Sequence, residues 1–373
     1  MQNSGFQHSH NCSKSIALYL PRFSIYGGVE RFAYNFAQFL IKKNHKVFFI
    51  CARQEVKAPP GLKLICTGRP PLTRSLKLMW YILWAEKIKK QIQADIHFSL
   101  GKTLSQDILR IGGGPLKIFW ELSQKAYPGL EGKIKITRRK LALVNWLTFW
   151  IEKKQLLQAK KIICVSDLVK NWLLQAYPFV PEKKIEVIYN LPDLTKFSCK
   201  QTDKNSIRQK FNLPQDKTLI LTVATNFKLK GVHYLIQSLK HLPEDHLLIV
   251  AGGRNPATYL KLAHRLHLDK RIIFLGQVKN IERVYNACDI FILNSFYDAC
   301  SNALLEALAS GLTCLSSQYN GSCIFLPQNN IIKDPSSPIE IAQKILQAQP
   351  TTFKIPPSIK SGFEHYYNII KEI

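Results

Sequence analysis

The sequence predicts an α/β architecture of two doubly wound parallel sheets facing a central cleft. Three observations support this. Apolar runs of strand length recur, among them SIALYL from residue 15, KVFFIC over residues 46–51, LLIVA over 247–251 and IFIL over 290–293; runs without polar alternation belong to strands covered on both faces. Most are followed by a glycine or polar turn and then by apolar residues at helical spacing. Near residues 192–200 the chain turns polar, and beyond it the strand–helix alternation starts afresh. The boundaries drawn from this are 1–195 for a first domain, 196–360 for a second and 361–373 for a closing helix.

In chain order, the first strand leads into YGGVERF, where Gly27 and Gly28 make a turn before a helix over 30–42 with Phe32, Phe36, Phe39 and Leu40 on one face. A tight turn alone would also account for the two glycines. Strands follow at 46–51 and 62–67. The segment 73–93, bounded by Thr73 and Gln93, reads as a Lys-rich helix with Leu76, Trp80, Leu83, Trp84 and Ile88 at helical spacing. After a strand at 95–100 comes LGKTLSQDILRIGGGP, which contains Asp107. Its GKT is not a phosphate-binding loop, because the upstream glycine of that motif is absent. The segment 133–155, bounded by Lys133 and Gln155, reads as one long helix with a basic start followed by Leu141, Val144, Trp146, Leu147, Phe149 and Trp150. Strands at 161–166 and 184–189 flank a helix over 167–176.

The second half runs strand (218–224), loop TNFKLKG with Lys228 and Lys230, helix (232–242), strand (247–251), helix (257–266), strand (271–275) and short helix (281–287). Then comes ACDIFILNSFYDACSNALLEALASG. Its strand ends in a polar loop carrying Asp298, and its helix starts near Asn302 with Glu306 among apolar residues. A helix amino end at the carboxyl edge of a parallel strand is a place where anions bind. The same spacing also fits an ordinary strand–helix unit with a surface Glu. Loops after neighbouring strands converge in such a sheet, so Lys230 can meet Asp298 and Glu306 over one ligand.

Composition bounds the function. The chain has 373 residues, 46% apolar and 21% charged, enough for two ordinary cores. Nine scattered Cys, none in a C-x-x-C pair, fit a reducing cytosol better than a disulfide framework. His8, His10 and Cys12 cluster near the start, but no second cluster matches them as metal ligands. The first fifteen residues lack the apolar core of a signal peptide, and no apolar run approaches the roughly 18 residues of a spanning helix. The net charge of +27 is uneven: residues 1–193 carry 31 Lys/Arg against 12 Asp/Glu, a net of +19. That excess calls for an anionic partner. Lysines beside Trp in 73–93 and 133–155 match interfacial membrane helices, although core helices with solvated basic ends would look similar. An anionic membrane surface is therefore the expected partner of the first half. Nucleic acid is not expected, since no zinc spacing, RNA-binding aromatic motif or basic zipper is present.

The segments YGGVERFAYNFAQFL, KIEVIYNLPDLTKF, TNFKLKGVHYLIQSL, RIIFLGQV and YDACSNALLEALASGL resemble the family 4 retaining glycosyltransferases of GT-B fold, over nearly the whole chain. The last is similar to that family's acid–seven residues–acid signature. FKLKG and LSQDILRIGGG resemble the branch that glucosylates the lipopolysaccharide core. The resemblance implies two Rossmann-like domains, the second holding the nucleotide sugar and a last helix crossing back to the first. It implies that Glu306 accepts the donor's ribose hydroxyls and that Asp298, where the family has Glu, lies near the transferred sugar. It implies that the backbone at Asn302 and Ala303 and the Lys230 ammonium hold the diphosphate, with Lys228 in place of an arginine whose position falls at Thr225. It assigns Val278 to the base through its backbone, Gly27 and Gly28 to the donor phosphate and acceptor, and Asp107 to the neighbourhood of the reacting centre. Lysine plus helix dipole stabilises the leaving diphosphate, so no metal or cofactor is expected. The implied partners are a nucleotide sugar, UDP-glucose, and a glycolipid acceptor, at the cytoplasmic face of the cytoplasmic membrane. Two other readings stay open on the sequence: a basic nucleic-acid-binding protein, and a donor-binding protein without turnover.

Overall fold

The computed structural model describes residues 13–198, 204–253 and 255–373. His8, His10 and Cys12 lie outside the described residues. The chain falls into two compact units. One comprises residues up to 110 with 143–163 and 363–373; the other comprises 111–142 and 164–362. This grouping follows contacts rather than chain order, and so cuts the chain at other points than residue 195.

In the first unit, Ser15–Tyr19 lies between Lys46–Cys51 and Ile96–Ser99, parallel to both. Leu62–Cys66 extends the sheet beyond Lys46–Cys51, and Ile108–Ile111 extends it beyond Ile96–Ser99. The strand order reverses beside Ser15–Tyr19, which makes a topological switch point there. Helix Gly28–Lys42 buries Ala33, Phe36, Ala37 and Leu40. The last helix, Phe363–Glu372, packs in this same unit, its Phe363 and Tyr366 against Phe32 and Phe36. The Arg110 guanidinium lies 3.8 Å from the centre of the Phe32 ring and donates from Nε to the Tyr366 hydroxyl at 3.0 Å. A cation packed between aromatic rings is a tight anchor for a terminal helix.

Helix Arg74–Gln91 starts at Thr73, whose hydroxyl accepts from the Leu76 amide. It turns Tyr81, Ile82, Ala85 and Ile88 inward, while Leu76 and Leu83 stay exposed. The single helix expected over 133–155 is two. Leu130–Leu141 ends at Ala142, whose backbone is extended (φ −78°, ψ 113°), and Leu143–Gln158 begins anew. No proline or glycine marks the break. The two pieces pack in different units, and tertiary packing overrides the local helical propensity.

In the second unit six parallel strands lie in the order Ile272–Gly276, His246–Ala251, Thr218–Val223, Ile290–Leu293, Thr313–Ser317, Ile331–Ile332. Ile220, Val250, Ile292 and Leu315 enter one core; Leu221, Ile249, Phe291 and Cys314 enter another on the opposite face. Burial on both faces is why these strands read as unbroken apolar runs. The strand order reverses between Thr218–Val223 and Ile290–Leu293. Among the described residues no helix is long and apolar enough to cross a membrane.

Candidate active site

The switch point of the second sheet gathers half of the residues singled out from the sequence: Lys230, Asp298, Asn302, Ala303 and Glu306. Thr218–Val223 and Ile290–Leu293 are neighbours, so the loops at their carboxyl ends meet, and the Phe296 amide donates to the Leu229 carbonyl at 2.9 Å. The Lys230 ammonium donates to Ser295 Oγ at 3.1 Å and forms an ion pair with Asp298 Oδ2. Both side chains are largely shielded, with 16% and 18% exposure, so the pair is not an ordinary surface contact. Gly231 follows in the left-handed region (φ 60°) and leads into helix Val232–Ser238; a Cβ on it would lie 2.5 Å from the Asn294 carbonyl oxygen. The turn that delivers Lys230 to Asp298 therefore requires glycine.

The loop bearing Asp298 is held on both sides. Its amide donates to the Tyr319 carbonyl at 2.9 Å, and its carbonyl accepts from the Gly321 amide at 3.0 Å. Ser166 Oγ donates to the Ala299 carbonyl at 2.7 Å. Helix Asn302–Ala309 starts at Ser301, whose hydroxyl accepts from the Leu304 amide at 3.3 Å, and the amides of Asn302 and Ala303 stand in its first turn. The Asn302 side chain accepts from Asn190 Nδ2 at 3.0 Å. Glu306, one turn further, is 8% exposed, and its Oε2 accepts from the Tyr285 hydroxyl at 3.2 Å. A buried carboxylate needs such a donor.

Other positions lie apart from this group. The Lys228 ammonium, 44% exposed, pairs with Glu131 Oε1 at 2.5 Å. Val278 packs against the Phe291 core, just past Gly276, whose carbonyl accepts from the Gly252 amide at 2.6 Å. In the first unit, Gly27 precedes helix Gly28–Lys42, and its φ of 117° is one that L side chains rarely adopt, so this turn also favours glycine. Asp107 stands at the amino end of strand Ile108–Ile111, whereas ligands of open α/β sheets bind at carboxyl ends. Its Oδ2 accepts from the His97 amide at 2.9 Å and its Oδ1 pairs with Lys160 at 2.9 Å. Burial pushes the Asp107 carboxyl up, but Lys160 and the His97 amide together outweigh it and hold it below the usual carboxylate range. The resemblance places Asp107 by the reacting centre; the structure shows it closing hydrogen bonds within its own sheet.

Sequence reasoning missed Tyr285, Ser295, Asn190 and Ser166. Tyr285, Asn190 and Ser166 each bind a polar atom of the loop or helix that carries the acids, and Ser295, within that loop, accepts from Lys230; each comes from an element distant in sequence or from a position with no motif of its own. Tyr285 alone had a signal: a buried Glu306 demands a donor, and Tyr285 sits on the helix just before the strand.

The arrangement offers a cation, a carboxylate beside it, a second carboxylate one turn into a helix, and that helix's amino end, all at one switch point. Such a set can hold a diphosphate and the hydroxyls of an attached sugar nucleoside.

Two family models match the sequence: Glycosyltransferase Family 4 over residues 123–196 and Glycosyl transferases group 1 over residues 203–349. An uncharacterized glycosyltransferase of Methanocaldococcus jannaschii, MJ1607, is 28% identical over 191 residues, covering 49% of each chain. The chain spans about half the length of several curated relatives that it matches. The lipopolysaccharide glucosyltransferase WaaG of Escherichia coli is 22% identical over 341 residues, covering 89% of each chain. Among solved structures, WaaG, a glycosyltransferase involved in lipopolysaccharide biosynthesis, superposes with a TM-score of 0.75 at 20% identity, covering 89% of this chain and 90% of that one. The Anabaena protein HepE, in complex with UDP and glucose, superposes with a TM-score of 0.67 at 16% identity, covering 90% and 89%. With these matches and a two-sheet architecture, the chain belongs to the family 4, group 1 glycosyltransferases and has their GT-B fold.

Proposed function

We propose that this chain is a retaining, metal-independent hexosyltransferase that moves glucose from UDP-glucose to a glycolipid acceptor of the lipopolysaccharide-core type. The observation that carries the reading is the shielded Lys230–Asp298 pair beside the Glu306-bearing helix at the second switch point. The whole-length likeness to a lipopolysaccharide glucosyltransferase supports the acceptor class, and the likeness to a structure holding UDP and glucose supports the donor.

Lys230 and the amides of Asn302 and Ala303 hold the diphosphate and stabilise its charge as the sugar–phosphate bond breaks. Lys228 adds charge once it leaves Glu131. Glu306 accepts the ribose hydroxyls, Asp298 the hydroxyls of the transferred sugar, and the Val278 backbone contacts the base. Gly27 and Gly28 let the first domain's backbone approach donor phosphate and acceptor. The sugar is attacked on the face the phosphate leaves, and a phosphate oxygen takes the acceptor proton, so no protein nucleophile is needed. Asp107, engaged by Lys160, has no step in this reading. The domain division is the one drawn from the sequence, residues 1–195 for the acceptor and 196–360 for the donor.

The protein works at the cytoplasmic face of an anionic membrane, without crossing it. Helix Arg74–Gln91 exposes Leu76 and Leu83 beside Lys77 and Lys87, and helix Leu143–Gln158 exposes Trp146, Trp150 and Leu157 beside Lys153 and Lys154. Aromatic and aliphatic groups among lysines suit a headgroup layer, where each well-placed cation contributes about 1 kcal/mol.

Calorimetric titration with a panel of nucleotide sugars tests the donor assignment. UDP-glucose binds wild-type protein, and Glu306→Ala weakens it; equal binding of UDP-glucose by both proteins, or none by either, would remove the assignment.

A further inference from the structure

The first sheet carries a pair of thiols that the transfer reaction does not use. Cys51 and Cys66 are the last residues of adjacent parallel strands, Lys46–Cys51 and Leu62–Cys66, and they face each other in register. Residues so paired put their side chains on one face of the sheet, and neighbouring strands lie about 4.8 Å apart. That spacing falls inside the Cα separation a disulfide spans, about 4.4–6.8 Å. Their sulfurs already lie 3.4 Å apart in a thiol–thiol hydrogen bond. The two sites differ in access: Cys51 is fully buried, whereas Cys66 is exposed on an edge strand. The other cysteines among the described residues are Cys164, Cys288, Cys300 and Cys314, all buried, and the half-buried Cys323.

We propose that Cys51 and Cys66 form a modification site, a cross-strand disulfide made by exchange with a small-molecule disulfide. Cys66, the accessible partner, attacks as thiolate on one sulfur of the reagent. The reagent's S–S bond breaks, one thiol leaves, and a mixed disulfide remains on Cys66. Cys51 then attacks the Cys66 sulfur, its proton passing to the departing thiolate, which leaves as the second thiol. Two protein thiols are oxidised and one reagent disulfide is reduced to two thiols, so atoms and electrons balance. Little backbone movement is needed, because the register already places the sulfurs together. The bond closes the loop between Ala52 and Ile65 and fixes the edge strand at its carboxyl end. Immediately beyond Cys51, Arg53–Gln54 pairs with Arg22–Phe23, the segment that leads to Gly27.

The test treats native full-length protein with oxidised glutathione, quenches with acid, alkylates the free thiols, digests with trypsin without reduction and analyses peptides by mass. Cys51 lies in the peptide of residues 47–53 and Cys66 in that of 64–74, since trypsin does not cut between Arg69 and Pro70. The two peptides should appear joined, as the main form of both cysteines, and dithiothreitol should separate them. In Cys66→Ser, Cys51 should remain an alkylatable thiol free of glutathione. The proposal is overturned if Cys66 stops at the glutathione mixed disulfide, if Cys51 is found joined to another cysteine, or if Cys51 in the Cys66→Ser protein takes up glutathione directly.

Discussion

At the scale of single residues, the two acids differ in how they are held. Glu306 is buried on a helix and braced by Tyr285, so it is a fixed acceptor. Asp298 is one methylene shorter than the Glu its family carries and is occupied by Lys230. Removing Glu306 should cost hydrogen bonds to a charged group, roughly 1.5–3 kcal/mol or about 10–100-fold in donor affinity, measurable by titration of Glu306→Ala. Removing Lys230 should act on the leaving group: Lys230→Ala should lower turnover by about 10²–10³-fold, as deletion of a preorganised charge stabiliser does, with the fold intact by circular dichroism. Asp107 belongs to a different account. Its carboxyl is held below the usual range in the folded chain. Its contribution to stability is therefore present above the ordinary carboxylate pKa and is lost as pH falls through the folded value. Lys160→Met should flatten that acid limb in thermal melts taken between neutral and acid pH, and an unchanged limb would place the stabilisation elsewhere. The acid spacing and Lys230 were legible in the sequence because each stood in a short motif. Tyr285 and Asn190 were not, because the contact each makes is fixed only by the fold.

At the scale of elements, unbroken apolar runs revealed nearly every strand of both sheets, since burial on both faces leaves a plain signature. Helix Ile281–Ala287 was read to the residue. The long helix over 133–155 was not, because its break at Ala142 has no local cause and depends on where each half packs. The turn before helix Val232–Ser238 depends on Gly231. Gly231→Ala should destabilise the protein by about 1–3 kcal/mol in urea unfolding, as a strained left-handed residue does, and should also weaken donor binding by displacing Lys230. A variant with unaltered stability would show that the turn can relax. Helix Leu143–Gln158 points Trp146 and Trp150 outward. Replacing both with Ser should leave the Tm unchanged yet reduce co-sedimentation with anionic vesicles, an effect that higher salt should reproduce in the wild type. A lowered Tm with intact vesicle binding would instead make these tryptophans part of the protein's own packing.

At the scale of the whole molecule, the charge of +27 is concentrated in the first half, which fits the proposal that a water-soluble nucleotide sugar and a lipid-linked sugar are its two substrates. The fold was legible because each sheet announces itself in repeated strand–helix units. The meeting of Lys230 with Asp298 was legible because their loops follow neighbouring strands. The acceptor was not legible, since no motif marks it and the basic surface suits any anionic lipid. The most direct measurement is transfer itself. Full-length protein is incubated with radiolabelled UDP-glucose and lipopolysaccharide truncated before its first outer glucose, and label is counted in the lipid fraction. The account predicts label that depends on the acceptor and falls by about 10²–10³-fold in Lys230→Ala. Absence of transfer from UDP-glucose and from every other nucleotide sugar tried, or transfer unaffected by Lys230→Ala, would contradict it.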